Sequence, residues 1–429
     1  MTLSLAPKPP SSFPGRLLVW GGFALVLLLA PWAVSGGLAL SILSQIGIAI
    51  VACLSYNILL GQGGMLSFGH AVYTGLASFV AIHALNQAGQ GGLPVSLIPL
   101  VGGLAGAGFA IVLGFVTTRK AGTPFAMITL GIAELVFAMA LMVPEFFGGE
   151  GGVSGNRVVG QPFLGITFGP PIQVYYLLAV YAFLCTVAMF AFTRTPLGRM
   201  LNAVRDNPER VEFVGYSTQR VRYLAFIIAG FFAGVSGGMY ALHFEIATAE
   251  VVGAARSGAY LLFTFLGGAT FFFGPIIGAV LMVLAGVLLS ELTKAWLLYL
   301  GLVFLLMVMY APGGVASLIM MNVRVAVFGR LRELLPTYAG LAAALAVTLL
   351  GAGAVVEMIY HLQLNDTAGS ELGYLGLQLS VGSALHWLAA LAVLAAGLAL
   401  LEALRRPFLR RWAVIQQDIE AAQRRRQGT

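Results

Sequence analysis

Charge is scarce in this chain. Of 429 residues only 9% are Asp, Glu, Lys or Arg, against 59% hydrophobic residues, a balance that excludes a soluble domain. Cysteine is nearly absent: Cys53 and Cys185 are the only two, and both fall within apolar runs, so neither a disulfide framework nor a CxxC metal site is available. The five histidines (70, 83, 243, 361 and 386) are scattered, without HExxH or another paired ligand spacing. No GxSxG nucleophile elbow occurs, which leaves an intramembrane enzyme without a nucleophile or a metal constellation. No GxxxxGK[ST] occurs either, so the chain cannot cradle ATP phosphates itself, and energy from ATP must enter through another subunit. Gly61 and Gly63 begin a GxGxxG-like run, but its third position is Leu66 and no βαβ context surrounds it. The short alternating segments of a transmembrane β-barrel are missing as well.

What the chain has is long apolar runs. A helix crosses the bilayer core in roughly 17–25 apolar residues. Candidate spans lie at 17–33, 36–60, 70–86, 95–117, 123–143, 172–192, 223–243, 257–272, 275–292, 295–311, 338–358 and 384–401. The run 257–272 is short enough to be re-entrant. The fold class expected is all-α, a polytopic membrane protein with about 10 core spans plus 2 extra C-terminal ones. The first run is read as a retained span, since it exceeds the usual apolar core of a signal peptide and Pro31-Trp32 make a poor run-up to cleavage.

Basic residues give the orientation. With both termini inside, the cytoplasmic segments hold Lys8, Arg16, Arg119, Lys120, six arginines in 194–222, Arg324, Arg330, Arg332 and seven arginines after 404. That is 20 of the 23 basic residues, the imbalance expected of the positive-inside rule. The net charge of +7 therefore fixes topology and calls for no nucleic acid. Along the chain, 1–16 reads as a disordered Pro/Ser-rich tail, 17–321 as one integral unit, 322–337 as a basic linker, 338–404 as a two-span hairpin, and 405–429 as a charged tail. Small-xxx-small spacings at Gly102/Gly106, Gly230/Gly234/Gly238 and Gly274/Gly278 predict close helix packing.

One polar segment, 193–222, interrupts the spans. Leu197, Leu201 and Val204 recur at helical spacing with Arg199, Asn202 and Arg205 opposite them, which predicts a helix lying along the bilayer surface. Asp206-Asn207 then offers an N-cap, Pro208 suits the first helical position, Glu209 favours the positive end, and Gly215 closes the element. Two such turns make a handle that another protein can push.

Other segments carry weaker signals. Gly61, Gly63, Gly64 and Gly69, with Ser67 and His70, sit between apolar runs. They fit either an interrupted helix along a translocation path or a tight turn at the cytoplasmic face. Glu134 is the acidic residue near mid-span in 123–143. It fits a residue lining or gating the path or a hydrogen-bonded helix contact, with Thr129 sharing part of its helix face. The outside loop 144–171 fits either a solvated connector or a surface that offers Glu145, Glu150 and Arg157 to a substrate-delivery partner, and Glu245, Glu250 and Arg256 in the next outside loop are read the same two ways.

Seven stretches in this order resemble the permease subunits of the branched-chain amino acid ABC importer family, in its LivM-like branch. They are Asn57–Gly75, Thr123–Leu135, Gly148–Gly155, Thr195–Gly215, Ala225–Leu242, Gly267–Gly278 and Tyr310–Leu318. The resemblance implies a bacterial inner-membrane protein that works with a homologous second permease, two cytoplasmic ATPases and a periplasmic solute-binding protein. It implies that ATP and magnesium bind in those ATPases, with no cofactor in this chain. The family's coupling loop falls on Ala203 to Gly215, so Arg205, Asp206, Asn207, Glu209, Arg210, Glu212 and Gly215 become the ATPase-coupling candidates. The substrate path would then run past the glycine-rich segment, Thr129 and Glu134. The hundred or so residues after 321 have no counterpart in that family. A reading from another class is a secondary transporter or channel driven by an ion gradient, with Glu134 as its ion site.

Overall fold

The computed structural model describes residues 13–34, 36–88, 93–158, 167–364, 371–374 and 377–427; of the tail expected to be disordered at 1–16, residues 1–12 lie outside them and 13–16 begin the first helix. The chain is an all-α, multi-pass membrane protein. Among the described residues, eight helices are long and apolar enough to cross a membrane, or nine if a bent pair counts as one span.

The order begins with α1 (Phe13–Ala33), α2 (Gly37–Asn57), a π-helical turn at Ile58–Gln62, α3 (His70–Ala88), α4 (Ile98–Thr117) and α5 (Thr123–Met142). The short α6 (Pro144–Phe147) precedes α7 (Pro171–Arg194), α8 (Pro196–Asp206), α9 (Pro208–Phe213) and α10 (Thr218–Phe244). Then come α11 (Ala254–Gly267), α12 (Gly274–Leu284), a second π-turn at Ala285–Leu289, α13 (Ser290–Leu292) and α14 (Trp296–Tyr310). Last are α15 (Gly314–Val327), α16 (Leu331–Leu364) and α17 (Ala384–Gln427). Two small antiparallel hairpins accompany the helices: β1 (Val153–Ser154) with β2 (Ile246–Ala247), and β3 (Glu371–Tyr374) with β4 (Leu377–Ser380).

The chain divides into two compact units, 1–287 with 307–316, and 288–306 with 317–429. In the first, α2 is apolar on every side and is buried from Gly47 to Asn57, as a helix without a polar face must be. It packs against α7, α10, α11 and α12. Helices α4 and α10 meet through their glycines: a Cβ at Gly102 would stand 2.5 Å from the Gly234 carbonyl oxygen, and one at Gly238 2.7 Å from the Cα of Pro99. Removing side chains lets the backbones close, which supplies the dispersion contact that lipid cannot oppose. The expected small-residue packing is therefore present. Helix α1 lies on α7, with Trp20 edge-on to Phe190 at 5.1 Å between centroids and the Tyr175 hydroxyl donating to the Leu27 carbonyl at 2.6 Å.

In the second unit, α16 and α17 pack as an antiparallel pair, with Gly351 against the Leu394 backbone and Gly397 against that of Thr348. Glu357 on α16 accepts from the Thr293 hydroxyl and from the Tyr299 hydroxyl at 3.4 Å. A carboxylate within an apolar helix is thus partnered by two hydroxyls.

Several expected spans take other forms. The run 257–272 becomes α11, whose 14 residues rise only about 21 Å at 1.5 Å each and turn back into α12. The run 295–311 becomes α14, which breaks into α15 with a 51° bend. Residues 322–337, expected as a linker, are the end of α15, a turn at Gly329 (φ +72°) and the start of α16. Arg330 holds that turn by pairing with Glu333 at 2.6 Å and Asp418 at 2.8 Å. The run 384–401 continues as helix through the basic segment to Gln427, since Arg, Gln, Glu and Ala all favour helix.

Candidate coupling site

Local signals build the polar segment. Thr195 caps α8 by accepting from the Gly198 amide at 3.1 Å, with Pro196 at the first helical position. Asn207 caps α9 by accepting from the Arg210 amide at 2.9 Å, with Pro208 following it. Asn207 alone is the cap: Asp206 ends α8 and pairs with Arg205 at 2.9 Å. Gly215 takes φ +92°, and the Gly215 and Tyr216 amides donate back to the Glu212 and Val211 carbonyls. That is a Schellman stop, which needs a left-handed residue at this position. The expected two-helix handle is therefore formed, with Leu201, Val204 and Val211 in the main core and Leu197 packed against it.

The handle is not merely laid on the surface. Arg205 Nη1 donates to the Gly61 carbonyl in the π-turn that ends α2. The Arg205 stem covers Gly64, where an added Cβ would stand 2.8 Å from Arg205 Cγ, and Gly64 itself sits at φ +63°. Leu201 closes over Gly63, its Cδ1 lying 3.2 Å from where a Cβ would project. On its other side Gly61 abuts the Asn57 side chain and the Ala269 carbonyl, in the turn between α11 and α12. The glycines thus let three backbone segments and α8 meet with no side chain between them. Such π-turns often mark functional positions in helices.

The remaining candidates are placed as follows. Gly61, Gly63, Ser67, Gly69 and His70 are buried, and only Gly64 of this group is exposed. His70 Nε2 shares a 2.8 Å hydrogen bond with Ser55 Oγ, and the Tyr56 hydroxyl donates to the Ser67 carbonyl at 2.8 Å. The segment is a packed turn beneath α8. Thr129 joins it: its Oγ1 accepts from the Phe68 amide at 3.1 Å, and its backbone stands against Gly69. Glu134 does not. Thr129 is buried while Glu134 is exposed, because five residues turn an α-helix by about 500°, leaving them some 140° apart. The shared helix face is corrected on that ground.

Glu145, in the first turn of α6, and Glu150, in the short turn that follows it, are exposed. Arg157 is not a surface contact. Its side chain is 15% exposed and pairs with Glu245 at 3.4 Å. It also donates to the carbonyls of Phe168, Leu242 and His243 at 2.9, 3.1 and 3.1 Å. It closes the C-terminal end of α10, where free carbonyls attract a cation. Arg256, read from sequence as a loop residue, belongs to the first turn of α11.

Sequence reading passed over one group. Phe213 is 90% exposed, Val214 70% and Tyr216 51%, side by side at the end of α9 with exposed Glu209 and Arg210. The signal was present as an apolar FV pair inside a charged short helix. Among the described residues no cluster of three His, Cys, Asp or Glu is placed to hold a metal.

Residues 38–312 match the family described as the permease component of the branched-chain amino acid transport system. The high-affinity branched-chain amino acid transport system permease protein LivM of Salmonella typhimurium is 28% identical over 312 residues, covering 68% of this chain and 72% of that protein. LivM of Escherichia coli is similar to the same extent. The guanosine ABC transporter permease protein NupQ of Bacillus subtilis is 28% identical over 117 residues, 26% of this chain and 34% of that protein. No solved structure matches. With the match running through the helical core, from α2 to the turn that follows α14, the chain belongs to the branched-chain amino acid transport permease family.

Proposed function

We propose that the chain is the permease subunit of a binding-protein-dependent ABC importer in a bacterial inner membrane. It moves a small polar solute inward, a branched-chain or related amino acid, using ATP and magnesium bound in two separate cytoplasmic ATPase subunits. The observation that carries this reading is the α8–α9 handle: a solvent-facing apolar tip on a short capped helix, tied by Arg205 to the backbone of a core span. Phe213, Val214 and Tyr216 are the apolar anchor for a groove in the ATPase, and Glu209, Arg210 and Glu212 form its charged rim. Force on α9 passes through Arg205 and Leu201 into the turn at Gly61–Gly64, and from there to α2, α5 and the α11–α12 turn. The termini and the handle lie in the cytoplasm, as the basic residues suggest.

On the opposite side Glu145 and Glu150 meet the solute-binding protein. The exposed face of α5, with Gly131 and Glu134, meets a homologous second permease, since a carboxylate in mid-span is too costly to leave in lipid. An ion-gradient transporter built on Glu134 would need that second subunit to complete its site. The deciding experiment is copurification of the ATPase subunits with the full chain carrying Phe213→Ala or charge reversals at Glu209 and Glu212. Loss of association supports the reading; unchanged association and uptake overturn it.

A further inference from the structure

A cavity of about 330 Å³ lies between α2, α10, α11 and α12, at the small end of ligand sites, which run roughly 300–1,000 Å³. Its walls divide by chemistry. Ile48, Met282, Val283 and Val287 form an apolar part, and Gln45, Tyr240, Arg256 and Tyr260 a polar one. Arg256 is held by its neighbours: Nε donates to the Tyr260 hydroxyl at 3.4 Å, and its guanidinium lies 5.2 Å from the Tyr240 ring centroid and 5.8 Å from that of Tyr260.

What it does not have is a counter-ion. Among the described residues the six ion pairs leave Arg256 out, although other arginines of this chain find carboxylates. A guanidinium set into a membrane protein without an acid is expensive unless an anion arrives. Aromatic faces lower that cost without consuming the fork of N–H groups that binds a carboxylate in two places. A second, water-sized pocket of about 10 Å³ shares Tyr240, Arg256 and Tyr260, room for about one water.

We infer that this cavity is a transient solute site in which Arg256 anchors the carboxylate of a small solute while the wall of Ile48, Met282, Val283 and Val287 receives an apolar body. The inference deepens the importer reading and rests on it. The solute that fits the site is a monocarboxylate with an apolar side chain, within the amino acids already proposed, and not a nucleoside. Gln45 donates through its amide nitrogen to Ser41 at 3.2 Å, which leaves the amide oxygen as an acceptor for an ammonium group.

The test is uptake of labelled leucine and labelled guanosine into membrane vesicles carrying the complete transporter, with unlabelled leucine or leucinamide as competitor. The expected result is ATP-dependent leucine uptake, competition by leucine but not by leucinamide, and no guanosine uptake. Arg256→Met is expected to lower leucine uptake by about ten-fold or more, the loss of one charged anchor. Copurification of the ATPase subunits reports whether the variant assembles. Should Arg256→Met fail to assemble, Arg256→Lys decides, because it keeps the charge and loses the two-point fork. A raised KM for leucine supports the anchor, and an unchanged KM overturns it. Equal competition by leucinamide, guanosine uptake, or full leucine uptake by an assembled Arg256→Met variant also overturns it. The ATP dependence of wild-type uptake tests the importer reading separately, so the two ideas fail on different measurements.

Discussion

Arg205 and Gly61 are 144 residues apart, yet the guanidinium of one donates to the carbonyl of the other. That single bond joins α8, which leads into the helix expected to receive force, to the turn that ends the buried core span α2. A charge-assisted hydrogen bond to a carbonyl is short and directional, so a displacement of α8 acts on the backbone of Gly61 directly.

Arg205→Ala is expected to uncouple the transporter while leaving it folded. The residue is 37% exposed at its side chain, so the loss in stability should be about 1 kcal/mol. Solute moved per ATP hydrolysed should fall, with ATPase association retained. An unchanged ratio would remove Arg205 from the force path.

Gly64→Val acts on the same joint from the other side. A β-branched residue at φ +63° costs about 1–2 kcal/mol in backbone strain, and its Cβ displaces the Arg205 stem. The variant should reproduce the uncoupling of Arg205→Ala and also lower the melting temperature in detergent. Wild-type coupling together with a wild-type melt would sink this expectation.

Phe213→Ala separates folding from docking. An exposed side chain contributes within about 0.5 kcal/mol to the stability of the isolated chain. An apolar anchor lost from an interface costs about 2 kcal/mol or more, some thirty-fold in affinity. Thermal unfolding should therefore be unchanged while titration against the ATPase subunits weakens.

Arg157→Ala should do the reverse. It frees three carbonyls and takes the guanidinium from Glu245, which keeps only the backbone amide of residue 157, at a cost of about 2–4 kcal/mol. The melting temperature should drop by several degrees, and Arg157→Ala with Glu245→Ala should recover part of it. A full loss of binding-protein association without any change in melting would restore Arg157 to the surface role read from its sequence.

Glu134→Gln distinguishes the two transport classes. An ATP-driven route keeps its uptake with this variant and in the presence of a protonophore. A gradient-driven route built on that carboxylate loses uptake in both cases.

Local chemistry was legible in the chain itself. Thr195 and Pro196 at the start of α8, Asn207 and Pro208 at the start of α9, and Gly215 at its end act within a few residues of one another. A linear reading therefore captures them. The glycine spacings of α4 and α10 pointed to close packing, because removing a side chain has that consequence wherever the helix lands.

Which partner a side chain meets belongs to the tertiary structure alone. Arg157 and Arg256 look alike in sequence, each a lone arginine among glycines and small residues in a segment between apolar runs. Folding sends one to cap α10 and the other to face a cavity without an acid. Glu134 and Thr129 share a helix but not a face, and the helical turn between them decides it. The sequence determined that the chain crosses a membrane many times and carries a capped polar handle, because hydropathy, charge and capping are short-range. Only the three-dimensional packing decided that the handle grips Gly61, because that contact depends on distant segments converging where glycine leaves room.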